Sequence, residues 1–325
     1  MSGVEPLLEL RHVSRRFPIR SGVLSRVSGH IHAVDDVSFS VARGETLAIV
    51  GESGCGKSTT GRCAVRLDLP DDGQVLFEGI DLATVDRRGL RAVRARLQMI
   101  FQDPSAALTS HMRVGEQIAE PLRNLAGLTD AAEVERRVAA LLTTVGLGAA
   151  DAGRFPHEFS GGQKQRVCIA RALASDPVMI VCDEAVSALD VSIKAQIVNL
   201  LIEIQERRGV GYVFISHDLG IVESISHRVA VMYLGKLVEL ADTAALFDAP
   251  RHPYTEALLA AAPVIEAAGT RPERPRLEGD VPSAASPPSG CRFRTRCPLA
   301  TPLCAEAEPP LARRDDGRLL ACHHR

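Results

Sequence analysis

Residues 46–63 read TLAIVGESGCGKSTTGRC. The apolar run Leu47, Ala48, Ile49, Val50 has the length of a fully buried strand. Glycines follow at 51, 54 and 56, and helix-compatible residues continue from Lys57. Gly51, four residues, then Gly56, Lys57 and Ser58 is the spacing of a phosphate-binding loop, in which backbone N–H groups wrap a phosphate chain. A Cβ there would block both the positive φ angles and the close approach, hence glycine. Lys57 is placed to neutralise β- and γ-phosphate charge and Ser58 to bind Mg2+, while the following helix aims its positive end at the same anions. The plainer alternative is a glycine turn joining a strand to a helix.

A chain of 325 residues can bury one large core, or one main domain with a small appendage. With 46% hydrophobic and 24% charged residues it falls in the ordinary globular range. A formal net charge of −2 provides no general basic field, which disfavours nucleic acid as a partner. Residues 1–17, MSGVEPLLELRHVSRRF, contain acids and no apolar core of signal-peptide length. No window approaches the ~18 consecutive apolar residues of a spanning helix. The chain is therefore expected to be cytosolic and soluble, with any membrane-spanning part in another polypeptide.

Residues 7–13 and 33–41 predict strands with partial alternation, and the polar, basic stretch 18–32 between them predicts a loop. Phe17, just before it, reads as a core residue, although an aromatic ahead of a phosphate loop can also stack on a base. QVLFEG at 74–79 and Leu97 to Phe101 predict further strands. Over 113–158, Val134, Val138, Leu141, Leu142 and Val145 recur at helical spacing, as in a helical insertion. FSGGQ at 159–163 leads into a helix to Ala174. VMIVCDE at 178–184 predicts a buried parallel strand that delivers two acids to the sheet's C-terminal edge. Ile193, Ile197, Leu200, Leu201 and Ile204 mark a buried helix stripe, GYVFISHD at 211–218 another core strand, and residues 228–240 a hairpin turning at Gly235 and Lys236. Strands alternating with helices argue for an α/β sheet. A Pro- and Ala-rich linker follows, over about 263–290.

Phosphoryl transfer needs positioning and charge neutralisation, so further groups are sought around the loop. Asp183 is placed to hold Mg2+ through water and Glu184 to polarise an attacking water. Such a pair also occurs as a plain helix cap. Gln102 and His217 each end an apolar strand and reach a γ-phosphate if those strands neighbour the loop's strand. Ser160, Gly161, Gly162 and Gln163 open a helix, which makes a second anion site, or else an ordinary capped terminus. Two phosphate-binding termini and one nucleotide suggest that the second serves a neighbour's ATP.

Together, GESGCGKST, Gln102 in FQDP, FSGGQKQR, VMIVCDE, SALD and His217 in ISHD resemble, in order and spacing, the ATP-binding subunits of ABC transporters, over about residues 7–262. PHEFSGGQKQR, VMYLGKLVE, RHPYTEALL and the GCRF, RCP and ACH pieces of the tail are similar to the oligopeptide/dipeptide importer branch. HIHAVDDVSF and CGKSTTGR look like the second of that branch's usual two unlike ATPase subunits.

The resemblance implies an α/β fold, an ABC-type P-loop NTPase core with an antiparallel β subdomain, a helical insertion and a small Cys-containing tail. Its divisions would be a nucleotide-binding domain at 1–262 with a helical subdomain at about 103–175, a linker at 263–290 and a Cys-rich segment at 291–325. Phe17 would stack on adenine, against the core reading. Gly51, Glu52, Ser53, Gly54, Cys55, Gly56, Lys57, Ser58 and Thr59 would hold the phosphates, with Ser58 and Gln102 on Mg2+ and Asp183 ordering its water shell. Glu184 would be the general base and His217 the γ-phosphate contact, with Lys57 and Gln102 beside them. Ser160, Gly161, Gly162 and Gln163 would clasp ATP on an opposing subunit, with Asp190 at that interface. The implied partners are a second ABC ATPase, two transmembrane permeases, a coupling helix of which the helical insertion would grip with the Gln102 loop as hinge, and an extracytoplasmic solute-binding protein. The place is the cytoplasmic face of the inner membrane. Peptides are the implied cargo; nickel, sugars or a non-transport role are the alternatives. Ala185 stands where proline is usual and TSHM at 109–112 where NPRM is usual.

Of eight cysteines, Cys55, Cys63, Cys168 and Cys182 are scattered and read as small buried hydrophobes. Cys291, Cys297, Cys304 and Cys322 gather near the C-terminus, with five, six and seventeen residues between them. In a reducing compartment this asks for a metal or for no ligand. Four thiols and a Cys297–Pro298 step suit a 4Fe-4S iron–sulfur cluster; zinc and unliganded thiols are the alternatives, with His323 and His324 as spare ligands.

Overall fold

A computed structural model of the chain describes residues 5–22, 25–187, 189–261 and 279–325. Two sheets carry it. The first is antiparallel, in the order β2-β1-β4-β5, from β1 (Leu8–Ser21), β2 (Arg26–Val41), β4 (Asp72–Phe77) and β5 (Ile80–Asp81). The second has eight strands in the order β11-β12-β10-β9-β3-β8-β7-β6. Its members are β3 (Thr46–Val50), β6 (Leu97–Ile100), β7 (Met179–Asp183), β8 (Gly211–Ile215), β9 (Arg228–Tyr233), β10 (Lys236–Asp242), β11 (Ala312–Arg313) and β12 (Leu319–Leu320).

Strands β9, β3, β8, β7 and β6 pair in parallel. Every residue of β3, β7 and β8 is buried, as expected of strands covered on both faces. In such a sheet the C-terminal strand ends open on one edge, where ligands bind. The apolar runs at 46–50 and 178–183 therefore place the phosphate loop and the acidic pair on the same edge.

The helices are α1 (Lys57–Ala64), α2 (Arg87–Arg96), α3 (Pro104–Ala107), α4 (Val114–Asn124), α5 (Ala131–Thr144), α6 (Gly161–Leu173), α7 (Val191–Arg208), α8 (Leu219–Ile225), α9 (Thr243–Asp248), α10 (Pro253–Ala260) and α11 (Pro302–Glu306). Helices α4 and α5 form the expected insertion. On α5, Val134, Val138, Leu141 and Leu142 are buried in the larger core, and Asp130 caps the helix by accepting from Ala132 N at 3.2 Å. Among the described residues no helix is long and apolar enough to cross a membrane.

One stretch departs from expectation. Of residues 18–32, expected as a loop, 18–21 and 26–32 extend the β1–β2 pairing, with Phe17 opposite Ile31, Pro18 opposite His30 and Ile19 opposite Gly29, while 23 and 24 lie outside the described residues. Pro18, Arg20, His30 and Ile31 are exposed and no core face runs through the extension. Polar composition there reflects two wet faces, not the absence of a strand. The hairpin of β9 and β10 turns at Leu234 and Gly235, both with positive φ, one residue earlier than expected.

The described part of the linker and tail, residues 279–325, packs on the body. β12 pairs with β10, Glu239 opposite Leu320 and Leu240 opposite Leu319, so the tail continues the main sheet. Arg318 donates to the fully buried Glu239 carboxylate at 2.8 Å. Phe293 packs its ring against those of Tyr233, Tyr254 and His252.

Candidate active site

The phosphate loop is wedged between two main chains. A Cβ on Gly51 would lie 2.1 Å from Met232 O of β9, and one on Gly56 would lie 1.9 Å from Ala33 O of β2. With φ of 150° and 106°, both positions require glycine for backbone reasons before any ligand is considered. Gly235 N donates to Cys55 O at 2.8 Å and fixes the loop from the β9–β10 turn. Burial raises the Cys55 thiol pKa, an effect that the neighbouring Lys57 opposes.

Lys57 is buried, and its ammonium donates to Gly51 O at 2.8 Å and to Glu52 O at 3.0 Å. The charge is thus held inside the loop by two carbonyls and the Cys55 sulfur, at 3.8 Å, with no carboxylate bonded to it among the described residues, a setting in which an anion is strongly favoured. Ser58 Oγ donates to Asp183 Oδ1 at 2.8 Å, which joins the first turn of α1 to the end of β7. Burial raises the Asp183 pKa; the Ser58 hydroxyl works against that, and the nearby Glu184 adds to it. A hydroxyl and a partly desolvated carboxylate at this distance fit a hard, oxygen-seeking cation such as Mg2+.

Glu184 follows at once. Gln102 Nε2 donates to Glu184 Oε2 at 2.8 Å, and His217 Nδ1 stands 3.6 Å from Glu184 Oε1. These three residues follow β6, β7 and β8, neighbours in the sheet, so strand order brings them together. Glu184 adopts the left-handed conformation, φ 46°, a strain on the order of 1 kcal/mol for a residue with a side chain. Its N–H donates to Ile215 O at 3.0 Å, while Ser187 donates to Glu184 O through both N, at 3.1 Å, and Oγ, at 3.0 Å. Ser187 therefore closes the turn at which Ala185, buried, replaces the more usual proline.

Three expected groups stand apart. Phe17 is half-buried on β1, with the Arg15 guanidinium 4.9 Å from its ring centre. Asp190 is exposed at the start of α7. Ser160 and Gln163 cap α6 reciprocally: Gln163 N donates to Ser160 Oγ at 3.3 Å and Ser160 N to Gln163 Oε1 at 3.0 Å. Among the described residues, no hydrogen bond or ion pair links residues 160–163 to the phosphate loop, Asp183, Glu184 or His217.

The sequence reading missed the back of the loop. Glu52 N donates to Tyr254 Oη at 2.8 Å, and Arg296 grips the Glu52 carboxylate with both terminal nitrogens, at 2.7 and 3.0 Å. Arg292 bonds Asp35 and Leu234 O nearby. No periodicity or spacing announces such contacts.

The tail cysteines lie near one another, close enough that Cys297, Cys304 and Cys322 each add to the raised pKa of Cys291, which burial chiefly pushes up to about 11. Cys304 Sγ is 3.3 Å from His324 Nε2. Among the described residues, however, no three His, Cys, Asp or Glu side chains are grouped so as to hold a metal ion. The expected iron–sulfur site thus finds no support, although the thiols gather in the fold.

A lysine-bearing glycine loop, a serine–aspartate pair and an acid flanked by glutamine and histidine on one sheet edge define a P-loop nucleoside triphosphatase. The ABC transporter family matches residues 34–187, and the C-terminal region of oligopeptide/dipeptide transporters matches residues 238–304. The oligopeptide transport ATP-binding protein AppF of Bacillus subtilis is 51% identical over 321 residues, covering 98% of this chain and 97% of that one. The glutathione import ATP-binding protein GsiA of Escherichia coli K12 is 53% identical over 279 residues, 86% of this chain but 45% of that one. A dimeric structure of a post-hydrolysis state of the ATP-binding cassette MJ0796, bound to ADP and Pi, superposes with a TM-score of 0.64 at 28% identity, over 73% of this chain and 98% of that one. The chain belongs to the ABC-type ATPases, among the ATP-binding proteins that carry the oligopeptide/dipeptide transporter C-terminal region.

Proposed function

We propose that this chain is the second of two unlike ATPase subunits that power import of oligopeptides or dipeptides. Its partners are two transmembrane permeases and an extracytoplasmic solute-binding protein, and it works at the cytoplasmic face of the inner membrane. The relatives' names and the C-terminal region support peptides as cargo.

The observation that carries the catalytic reading is the convergence of Gln102, Glu184 and His217 beside the Ser58–Asp183 pair. Bound Mg·ATP supplies the reactive γ-phosphoryl group and the cation that offsets its charge. Lys57 binds the phosphates. Ser58 and Gln102 would hold the metal, and Asp183 would order its water shell. Glu184 orients the attacking water and takes its proton, and His217 contacts the γ-phosphate. Residues 160–163 clasp the nucleotide of the opposing subunit, with Asp190 in the interface, and Phe17 stacks on adenine. The domain divisions at about residues 262 and 290 belong to this reading, although 262–278 lie outside the described residues. An iron–sulfur cluster on Cys291, Cys297, Cys304 and Cys322 does not.

Glu184→Gln keeps the size and hydrogen-bonding reach of the side chain but removes its basicity. The expected result is retained ATP binding, a longer-lived nucleotide-bound dimer by gel filtration, and ATPase activity lowered at least about 100-fold. Wild-type turnover in this variant would rule out Glu184 as the base.

A further inference from the structure

Glu52 is an acid in a loop built to receive anions. Its side chain is held by Arg296, which arrives from the tail 244 positions away and is only 5% exposed, against 25% for Glu52. Arg296 Nη1 also stands 3.5 Å from Tyr233 Oη, and Nε has no hydrogen-bond partner among the described residues. Burying a guanidinium with a donor unpaired is unfavourable, so stability alone is a poor reason for this residue. Its geometry offers a better one. Glu52 is fixed at three points: its N–H by Tyr254 Oη, its carbonyl by Lys57 Nζ and its carboxylate by the two-pronged guanidinium. The pair holds the carboxylate and cancels its charge. Released, the same carboxylate would repel a phosphate chain bound one residue from Gly51 and would compete for Lys57.

We propose that Arg296 is a positioning residue for nucleotide binding: by neutralising and holding Glu52, it makes the C-terminal tail part of the phosphate cradle. The inference rests on the reading of residues 51–59 as that cradle. Other contacts dock the tail independently, namely β12 on β10, Arg318 on Glu239 and Arg292 on Asp35. Removing the Arg296 guanidinium therefore tests the loop and not the attachment of the tail.

The test is Mg·ATP affinity of the full-length chain at low salt, measured by calorimetry beside thermal unfolding of each variant. Arg296→Gln is expected to weaken binding about tenfold, and adding Glu52→Gln to recover it to within about threefold of wild type, because the charge needing cancellation is gone. Wild-type affinity in Arg296→Gln, or a double variant as weak as the single one, overturns the proposal. Should Arg296→Gln not fold, Arg296→Met gives the same comparison: it keeps the apolar stem but loses the charge and the two-pronged grip, and Glu52→Gln is again expected to restore affinity. Equal affinity of Arg296→Met and wild type would then overturn it. A wild-type chain that binds no nucleotide removes the cradle reading and this inference together, whereas tight wild-type binding unchanged by Arg296→Gln removes this inference alone.

Discussion

The phosphate loop before α1 and the turn before α6 are both glycine-containing entries to a helix, yet they are held in opposite ways. The first is clamped on every side: backbone of β2 and β9 behind the glycines, Tyr254 and Arg296 on Glu52, Asp183 on Ser58. The second is held, in the hydrogen bonds of Ser160 and Gln163 among the described residues, by its own capping box, with Ile193 packed close to Gly162 and with Ser160 and Gly161 exposed. A site clamped from within is ready for a ligand before the ligand arrives. An exposed helix start has N–H groups to offer outward, and in the proposed reading the rest of its site comes from another molecule. On that reading one chain presents one preformed half-site and one outward-facing half.

This contrast is sharpest in turnover. Ser160→Arg puts a long cationic side chain at the outward-facing half, and the ATPase rate is expected to fall about 100- to 1000-fold, as when a preorganised donor group is lost, while the isolated chain still binds ATP. A variant that hydrolyses normally would erase the distinction between the two helix entries. Lys57→Ala strikes the clamped half, where a charge-assisted contact is lost, and the expected result is about 10- to 100-fold weaker nucleotide binding by the single chain. Unchanged affinity would show that the cradle does not depend on its lysine.

The weakest effect concerns how the clamp is braced. His252, buried against Phe293, accepts from Tyr254 N at 3.1 Å, and burial lowers its pKa from 6.5 to about 4. The folded state holds it neutral, so its contribution is full above pH 6.5 and is lost as pH falls toward 4. Glu239, which accepts from His252 N at 2.9 Å, is committed to Arg318. Stability at pH 5 is expected to be about 2 kcal/mol lower than at pH 7, and His252→Gln is expected to remove most of that slope. Denaturant midpoints of wild type that do not move between these pH values would refute the assignment.

What the sequence disclosed and what it withheld divide along the same line. Residues 46–63 and 178–184 were legible because a buried parallel strand is a continuous apolar run and a phosphate loop is a local spacing. Gln102 and His217 were legible as strand ends, although only the sheet order brings them to Glu184. The pairing of 18–21 with 26–32 was hidden because none of those residues is fully buried, so Phe17 and Ile19, half-buried between exposed neighbours, leave only a short and faint alternation. Arg296 on Glu52, Arg318 on Glu239 and β12 on β10 join residues about 80 to 244 positions apart through single pairs, and a single pair leaves no pattern along the chain. The four tail cysteines were legible as a group, but their spacing could not say whether the sulfurs would meet.

The pairing of β12 with β10 bears on how the polypeptide is born. Until residues 319 and 320 have emerged, one margin of the principal sheet carries free amide and carbonyl groups, the kind of border that recruits strands from other molecules. A messenger truncated shortly before that point would yield a cassette with residues 46–217 intact and a sticky flank at Glu239 and Leu240, so the damage would surface as aggregation before it surfaced as lost nucleotide binding.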